Sequence, residues 1–298
     1  MIVCAAANPS VDRLFEVERL HPGRVHRPEL FAQVAGGKGL NAARAAATLG
    51  ADVHVVVILA GHAGRWLEGQ LERAGIAVHA VWVDGESRSS LSVANRSGGG
   101  LTEFYEQGVP IGTEAWHRFA GAAAALSASA EWMAISGSLP PGAPADGYVA
   151  LGSACPLAAD TVERRPATAD LVKLNAGEAG QVTGVDTATA EGALAAARRL
   201  SDDRGAGAVT RGPAGAVLAL ADGAAFTGTL DAPGAYPVGS GDSFLAGLVV
   251  ARAAGAGWDD ALALALGAGA ANAAAPGAAC FSRDHAERLA ARASVTPV

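Results

Sequence analysis

Apolar runs of strand length alternate with helix-length segments along most of this sequence, and that alternation restricts the fold more than any single residue does. Met1–Ala7, His54–Ala60, Ile76–Val83, Trp132–Ile135, Leu171–Leu174 and Ala206–Thr210 are short, mostly apolar runs, the pattern of buried strands. Gly39–Leu49, Arg65–Ala74, Thr113–Ser127, Glu191–Leu200, Asp242–Ala254, Asp259–Ala275 and Arg283–Ala291 are helical in character. Such alternation builds an α/β layered fold around a mainly parallel sheet. Segments 11–17, 28–35 and 88–107 break the rule. They alternate with period two, lack helices between them, and carry a hairpin signature at Ser97-Gly98-Gly99-Gly100. They predict a small separate sheet, a lid over the edge of the main one, within a single domain spanning 1–298.

Two glycine-rich turns lead straight into helices. In Pro237-Val238-Gly239-Ser240-Gly241-Asp242-Ser243, the glycines let the backbone turn tightly and approach a ligand. The free N–H groups and positive end of the helix that follows make an anion site over Gly239, Ser240, Gly241 and Asp242. A carboxylate at Asp242 can take the proton of an attacking hydroxyl while charge develops on a transferring phosphoryl group. Taken alone, the pattern also fits an N-capping Asp in a glycine-rich turn. The second turn, Gly36-Gly37-Lys38-Gly39 with Asn41, lacks P-loop spacing. It offers close backbone approach, a cation at Lys38 and an amide at Asn41 for sugar hydroxyls; alone it is equally an ordinary strand–helix turn.

Together, and in this order, these motifs resemble the two signatures of the ribokinase/PfkB family of carbohydrate kinases, and the resemblance covers nearly the whole chain. Asn8-Pro9-Ser10-Val11-Asp12-Arg13 is similar to the family's opening segment, where an Asp binds sugar hydroxyls, which implies that role for Asp12. Ser136-Gly137-Ser138-Leu139-Pro140-Pro141-Gly142 matches a loop of its phosphofructokinase branch and brings Ser138 to the substrate. Lys173-Leu174-Asn175-Ala176-Gly177-Glu178 resembles the Asn-x-x-Glu element that organises magnesium and phosphate. At that spacing Asn175 and Glu178 share a helical face, and Glu178 would hold the metal through water. Thr210-Arg211-Gly212-Pro213-Ala214-Gly215 resembles the nucleotide-binding turn, which assigns Thr210, Gly212 and Gly215 to ATP beside Lys173 and Asn175. Asn272, in an Ala-rich helix, either flanks the adenine or packs in the core. The run ending Asp160-Thr161 is similar to a family strand, although 147–169 is shorter than the resemblance implies, with its flanking helices truncated.

Thr102-Glu103-Phe104, the Leu-Pro-Pro-Gly loop and Lys173 are most similar to the phosphofructokinase and tagatose-6-phosphate kinase branch. That likeness implies a doubly wound, ribokinase-like fold with a β-sheet lid, ATP and Mg²⁺, and a phosphorylated ketohexose as acceptor. Gly36, Gly37, Lys38, Asn41 and Asp12 would bind the sugar. Arg88, Lys38 and Arg24 would meet its phosphate, since arginine suits phosphate; each is otherwise a solvated charge. Tyr105 stands where this branch carries Asn. The lid strands give a face toward the site and another with apolar residues such as Leu14 or Val93, so a homodimer pairing lids is expected.

Composition narrows the alternatives. A net charge of −7 without a basic run argues against a nucleic-acid partner. Cys4, Cys155 and Cys280 are too few and too scattered for a disulfide framework or zinc site, and buried free thiols are expected. The opening residues lack a basic n-region and Ala261–Ala275 is too short to span a bilayer, so the expectation is a cytoplasmic enzyme with no membrane partner. Two alternatives stay open: a kinase of an unphosphorylated sugar, nucleoside or specialised metabolite, and a non-catalytic sugar-phosphate-binding regulator on the same fold.

Overall fold

A continuous apolar run, buried on both faces, places the first strand inside the main sheet. A computed structural model describes residues 1–97, 99–163, 169–201 and 205–298. The chain opens with β1 (Ile2–Ala6), leaves for β2 (Ser10–Val17) and β3 (Glu29–Gly36), and returns through α1 (Lys38–Thr48) to β4 (Val53–Ala60), α2 (Gly61–Arg73) and β5 (Ala77–Val83). A second excursion forms β6 (Ser89–Asn95) and β7 (Leu101–Tyr105). Then come α3 (Thr113–Ser127), β8 (Trp132–Ser136), β9 (Leu157–Asp160), β10 (Leu171–Asn175), α4 (Ala176–Thr183), α5 (Ala190–Ser201) and β11 (Ala206–Thr210). The chain closes with β12 (Ala216–Leu220), β13 (Ala225–Thr229), α6 (Ser240–Ala253), α7 (Trp258–Ala273), α8 (Arg283–Ala290) and β14 (Ser294–Pro297).

The main sheet has ten strands in the order β14-β13-β12-β11-β10-β9-β8-β1-β4-β5. From β11 to β5 every neighbouring pair is parallel, while β12, β13 and β14 add an antiparallel margin. Ile2, Cys4 and Ala6 join the apolar cluster under α1, α2, α6 and α7; Val3 and Ala5 join the one under α3. Helices α4 and α5 cover the same face as α3, over β10 to β12, while α8 packs on α7. The chain leaves β1 toward β4 and later resumes at β8 on its other side. Ligands of open α/β sheets bind beyond the strand ends at such a reversal.

The margin β12–β14 was not foreseen from the sequence: its strands are short and rich in Ala, Gly or Thr. The segment before β9 makes turns and no helix, as the truncation expectation requires, while the part of that expectation falling on 164–168 lies outside the described residues. Gly98 of the hairpin signature does too. Cys4 is buried, and burial pushes its thiol up to about 12; Cys155 and Cys280 are half-buried. No helix among the described residues is long and apolar enough to cross a membrane.

The lid is a four-stranded sheet, β3-β2-β6-β7, with β2 and β6 parallel at its centre. Its register aligns Asp12 with Ser90 and Ser90 with Tyr105. It also aligns Leu14 with Ser92 and Ser92 with Glu103. Alternation therefore puts Leu14 on the Asp12 face, and corrects its assignment to the apolar one. The opposite face carries Phe15, Leu91, Val93 and Phe104.

Candidate active site

The C-terminal ends of the parallel strands, the two glycine-rich turns and the lid enclose a cavity of about 1010 Å³. Asp242 lies in the first turn of α6, buried, with Oδ2 accepting from Asn41 Nδ2 at 2.8 Å. Burial and the nearby Asp160 carboxylate push its carboxyl up to about 6, against the pull of Lys173, Asn41 and Lys38. A carboxyl whose pKa is raised in this way is a stronger base than an exposed one. The Ser240 N–H is spent on Pro237 O at 3.1 Å, so the anion site falls to the first-turn amides of Gly241 and Asp242. Gly239 caps the helix at φ 83°, the left-handed region open to glycine.

Beside this turn lies a buried charge network. Asp160 ends β9 with no exposed surface, and its Oδ2 accepts from Lys173 Nζ at 2.8 Å. Its Oδ1 lies 3.4 Å from Lys38 Nζ, which also donates to Glu178 Oε1 at 2.8 Å. Burial lowers the Lys38 pKa, but Asp160 and Glu178 outweigh it and hold the ammonium above its usual range. Removing one partner of the Asp160–Lys173 pair would strand a buried charge, at about 3–5 kcal/mol. Asn175 and Glu178 form a capping box on α4: Asn175 Oδ1 accepts from Glu178 N at 2.9 Å, and Glu178 Oε2 from Asn175 N at 3.0 Å. The Asn-x-x-Glu spacing thereby fixes Glu178 with Oε1 turned to Lys38.

The lid supplies the opposite wall. Asp12 accepts from Ser10 Oγ, and from Gly37 N at 3.2 Å. Burial raises its pKa, opposed by those bonds and by Arg88. A Cβ on Gly36 would lie 1.9 Å from Asp12 Oδ2; Gly36 makes room for that carboxylate without lining the cavity. Arg88 donates to Asn8 O through Nε (3.3 Å) and Nη2 (3.1 Å), and to Glu106 O through Nη1 (3.3 Å). Ser138 Oγ accepts from Asn8 Nδ2 at 3.0 Å. Tyr105 lines the cavity with its hydroxyl donated to Glu103; burial and that bond raise its pKa.

Asp12, Gly37, Lys38, Asn41, Arg88, Ser138, Lys173, Asn175, Glu178, Thr210, Gly212, Gly215 and Gly239 to Asp242 all line this one cavity. Three residues do not: Arg24, Asn272 and Gly36, which only makes room for Asp12. Arg24 lines a separate groove with Arg19, Arg27 and Arg96, because the β2–β3 connection carries it past the lid margin. Asn272 is fully buried in α7 with its amide engaged by backbone, which fits the core-packing alternative. Lys38 lines the cavity but is drawn to carboxylates, not left free at the lid end. Asp160 was missed as a member of the buried charge network; an acidic residue ending a parallel strand was the available signal. Ser136 was also missed: its Oγ and Asn41 Oδ1 are buried without a partner among the described residues, while lying on residues that line the cavity.

A layered α/β fold with a β lid, a glycine-rich helix start and a buried carboxylate beside it is the frame of a small-molecule phosphotransferase. The family model for pfkB family carbohydrate kinases matches residues 3–284, and the chain belongs to that family: it is a carbohydrate kinase. A 1-phosphofructokinase from Haloferax volcanii is 31% identical over 271 residues, covering 88% of this chain and 87% of that protein. Another, from Xanthomonas campestris pv. campestris, is 31% identical over 150 residues, covering 50% of this chain and 47% of that protein. Among solved structures, the tetrameric inhibited form of phosphofructokinase-2 from Escherichia coli aligns with a TM-score of 0.87 at 21% identity, covering 97% of this chain and 98% of that one. A possible 1-phosphofructokinase from Thermotoga maritima aligns with a TM-score of 0.87 at 20% identity, over 100% and 99%. The ribokinase of Arabidopsis thaliana, complexed with ribose and ATP, aligns at 0.76 and 18%, over 97% and 98%, which carries the fold alone.

Proposed function

We propose that this kinase transfers the γ-phosphoryl group of ATP to a hydroxyl of a sugar phosphate, with Asp242 as the base. The observation that carries the reading is the position of Asp242. It is a buried carboxylate held by Asn41, in the same helical turn as amides free to bind an anion. Its carboxylate takes the proton of the attacking hydroxyl. The amides of Gly241 and Asp242 meet the charge that develops on the transferring group. Asp12 and Asn41 Oδ1 orient the sugar hydroxyls. Thr210, Gly212 and Gly215 flank the ATP, and the lid excludes water, which limits wasteful hydrolysis.

Magnesium fits the donor set. Asp160 and Glu178 turn hard carboxylate oxygens toward one point beside the anion turn, now met by the Lys38 ammonium. They would hold the ion with its waters. When bound, it would neutralise charge on the phosphate oxygens of ATP. The sugar-phosphate reading also includes a homodimer made through the apolar face of the lid.

The relatives named 1-phosphofructokinase support a phosphorylated acceptor. One observation favours a second reading, a free-sugar kinase: of the three cations expected at the lid end, Arg24 lies in another groove and Lys38 is held by carboxylates. An ADP-release screen separates them, using fructose 1-phosphate, fructose 6-phosphate, tagatose 6-phosphate, free hexoses, ribose and nucleosides. The expected result is preference for a hexose phosphate. Arg88→Ala should then raise its KM roughly 10–150-fold, the worth of a charge-assisted hydrogen bond, with the KM for ATP little changed. Equal kcat/KM for fructose and its phosphates, with no effect of Arg88→Ala, would move the assignment to free sugars.

A further inference from the structure

The turn that carries Asp242 contains glycine at two of its positions, and glycine has no side chain with which to pin a backbone. The pin comes from α7. Asn272 Nδ2 donates to Val238 O at 2.8 Å and Ser240 Oγ at 3.0 Å, with Tyr236 O further off at 3.4 Å. Its Oδ1 accepts from Ala279 N at 2.7 Å and faces Ser243 Oγ at 3.4 Å. One buried amide thus ties both sides of the anion turn to the loop after α7. That loop is itself held. Arg44 of α1 donates through Nη1 to Ala278 O (2.9 Å) and Ala35 O (3.1 Å), and through Nη2 to Ala279 O (3.3 Å). Ala278 packs against the turn so closely that a Cβ on Gly239 would lie 2.5 Å from its own.

We infer that Asn272 is a positioning residue for phosphoryl transfer: its amide holds the 238–243 turn so that the Gly241 and Asp242 amides and the Asp242 carboxylate meet the transition state in fixed geometry. The inference rests on the proposed function. The chemistry asks for an amide specifically. Two donors must meet Val238 O and Ser240 Oγ while an acceptor meets the Ala279 N–H, and no other side chain of that size offers both. An anion site fixed in advance needs no rearrangement as charge develops. Loosening it therefore weakens transition-state binding while the ground-state contacts of sugar and ATP persist.

The isosteric variant Asn272→Asp keeps the acceptor for Ala279 N and loses the donors. At pH 8 its kcat should fall by up to about 10²–10³-fold, the loss expected if the loosened turn no longer presents one of its amides to the developing charge. The KM values for sugar and ATP should stay within about threefold, and affinity for ADP–aluminium fluoride in the presence of sugar should fall in step with kcat. As the pH is lowered toward 6, the buried acid protonates and regains one donor, so the ratio of variant to wild-type kcat should rise. Folding is checked by cooperative melting. If this variant does not fold, Arg44→Lys, which loosens the same loop from α1, carries the test through the same split of kcat from KM. A kcat within about threefold of wild type, or parallel changes in kcat and both KM values, makes Asn272 a packing residue and overturns the inference. Wild-type protein inactive on every sugar tested would instead overturn the functional reading, and this inference with it.

Discussion

In the proposed reaction Asp242 works only as a carboxylate, and its surroundings favour the protonated form more than water would. Burial and Asp160 raise its pKa to about 6 from the ordinary 3.8. A base with a raised pKa is inactive below that value and active above it. In the proposed reaction kcat/KM should therefore rise with pH through about 6 and level off above, since this ratio reports the free enzyme. Asp242→Asn keeps the shape and removes the proton acceptor; it should abolish that limb and lower kcat by roughly 10²–10⁴-fold. A flat profile from about pH 5 to 8, or a variant with half the wild-type kcat, would remove Asp242 from the mechanism.

At the scale of elements, α6 decides whether the site exists. Phe244, Leu245, Leu248 and Val249 are buried, so its position is set by packing on α1 and α7, while its first turn is left to chemistry. Gly239 joins the two roles. Its φ of 83° costs an L-residue about 1–2 kcal/mol, and a methyl group 2.5 Å from Ala278 Cβ adds overpacking of about 1–3 kcal/mol. Gly239→Ala should lower stability by about 2–5 kcal/mol and reduce kcat more than KM. An unchanged urea midpoint would show that the turn yields easily. The helix and its glycines were legible in sequence because both signals are local: a run of helix-forming residues, and a glycine where the backbone must turn left-handed. The margin β12–β14 was not, because Ala- and Gly-rich strands owe their extended shape to the neighbour they pair with.

At the scale of the molecule, the lid is a sheet with two faces and one site. Its far face carries Phe15, Leu91 and Phe104, the last 56% exposed. The proposed homodimer covers that face. Sedimentation at about 10–50 µM, a range suited to weak dimers, should show a dimer that Phe104→Asp converts to monomer. A wild-type monomer throughout that range would count against it. The sequence by itself determined the layered α/β class, the lid strands, the glycine-rich turn before α6 and the place of Asp242 in its first turn, since these depend on periodicity and on residue type within one turn. Only the tertiary structure decided how the charges pair. Lys38, expected at a substrate phosphate, is held by Glu178, 140 residues away, and by Asp160, 122 away. Asn272, expected either at the nucleotide or in the core, is buried with its amide bonded to Val238 O, Ser240 Oγ and Ala279 N. The physical reason is the same for both: the partner of a buried charge or amide is whichever group the packed strands and helices bring within about 3 Å, and no local pattern in the chain encodes that distance.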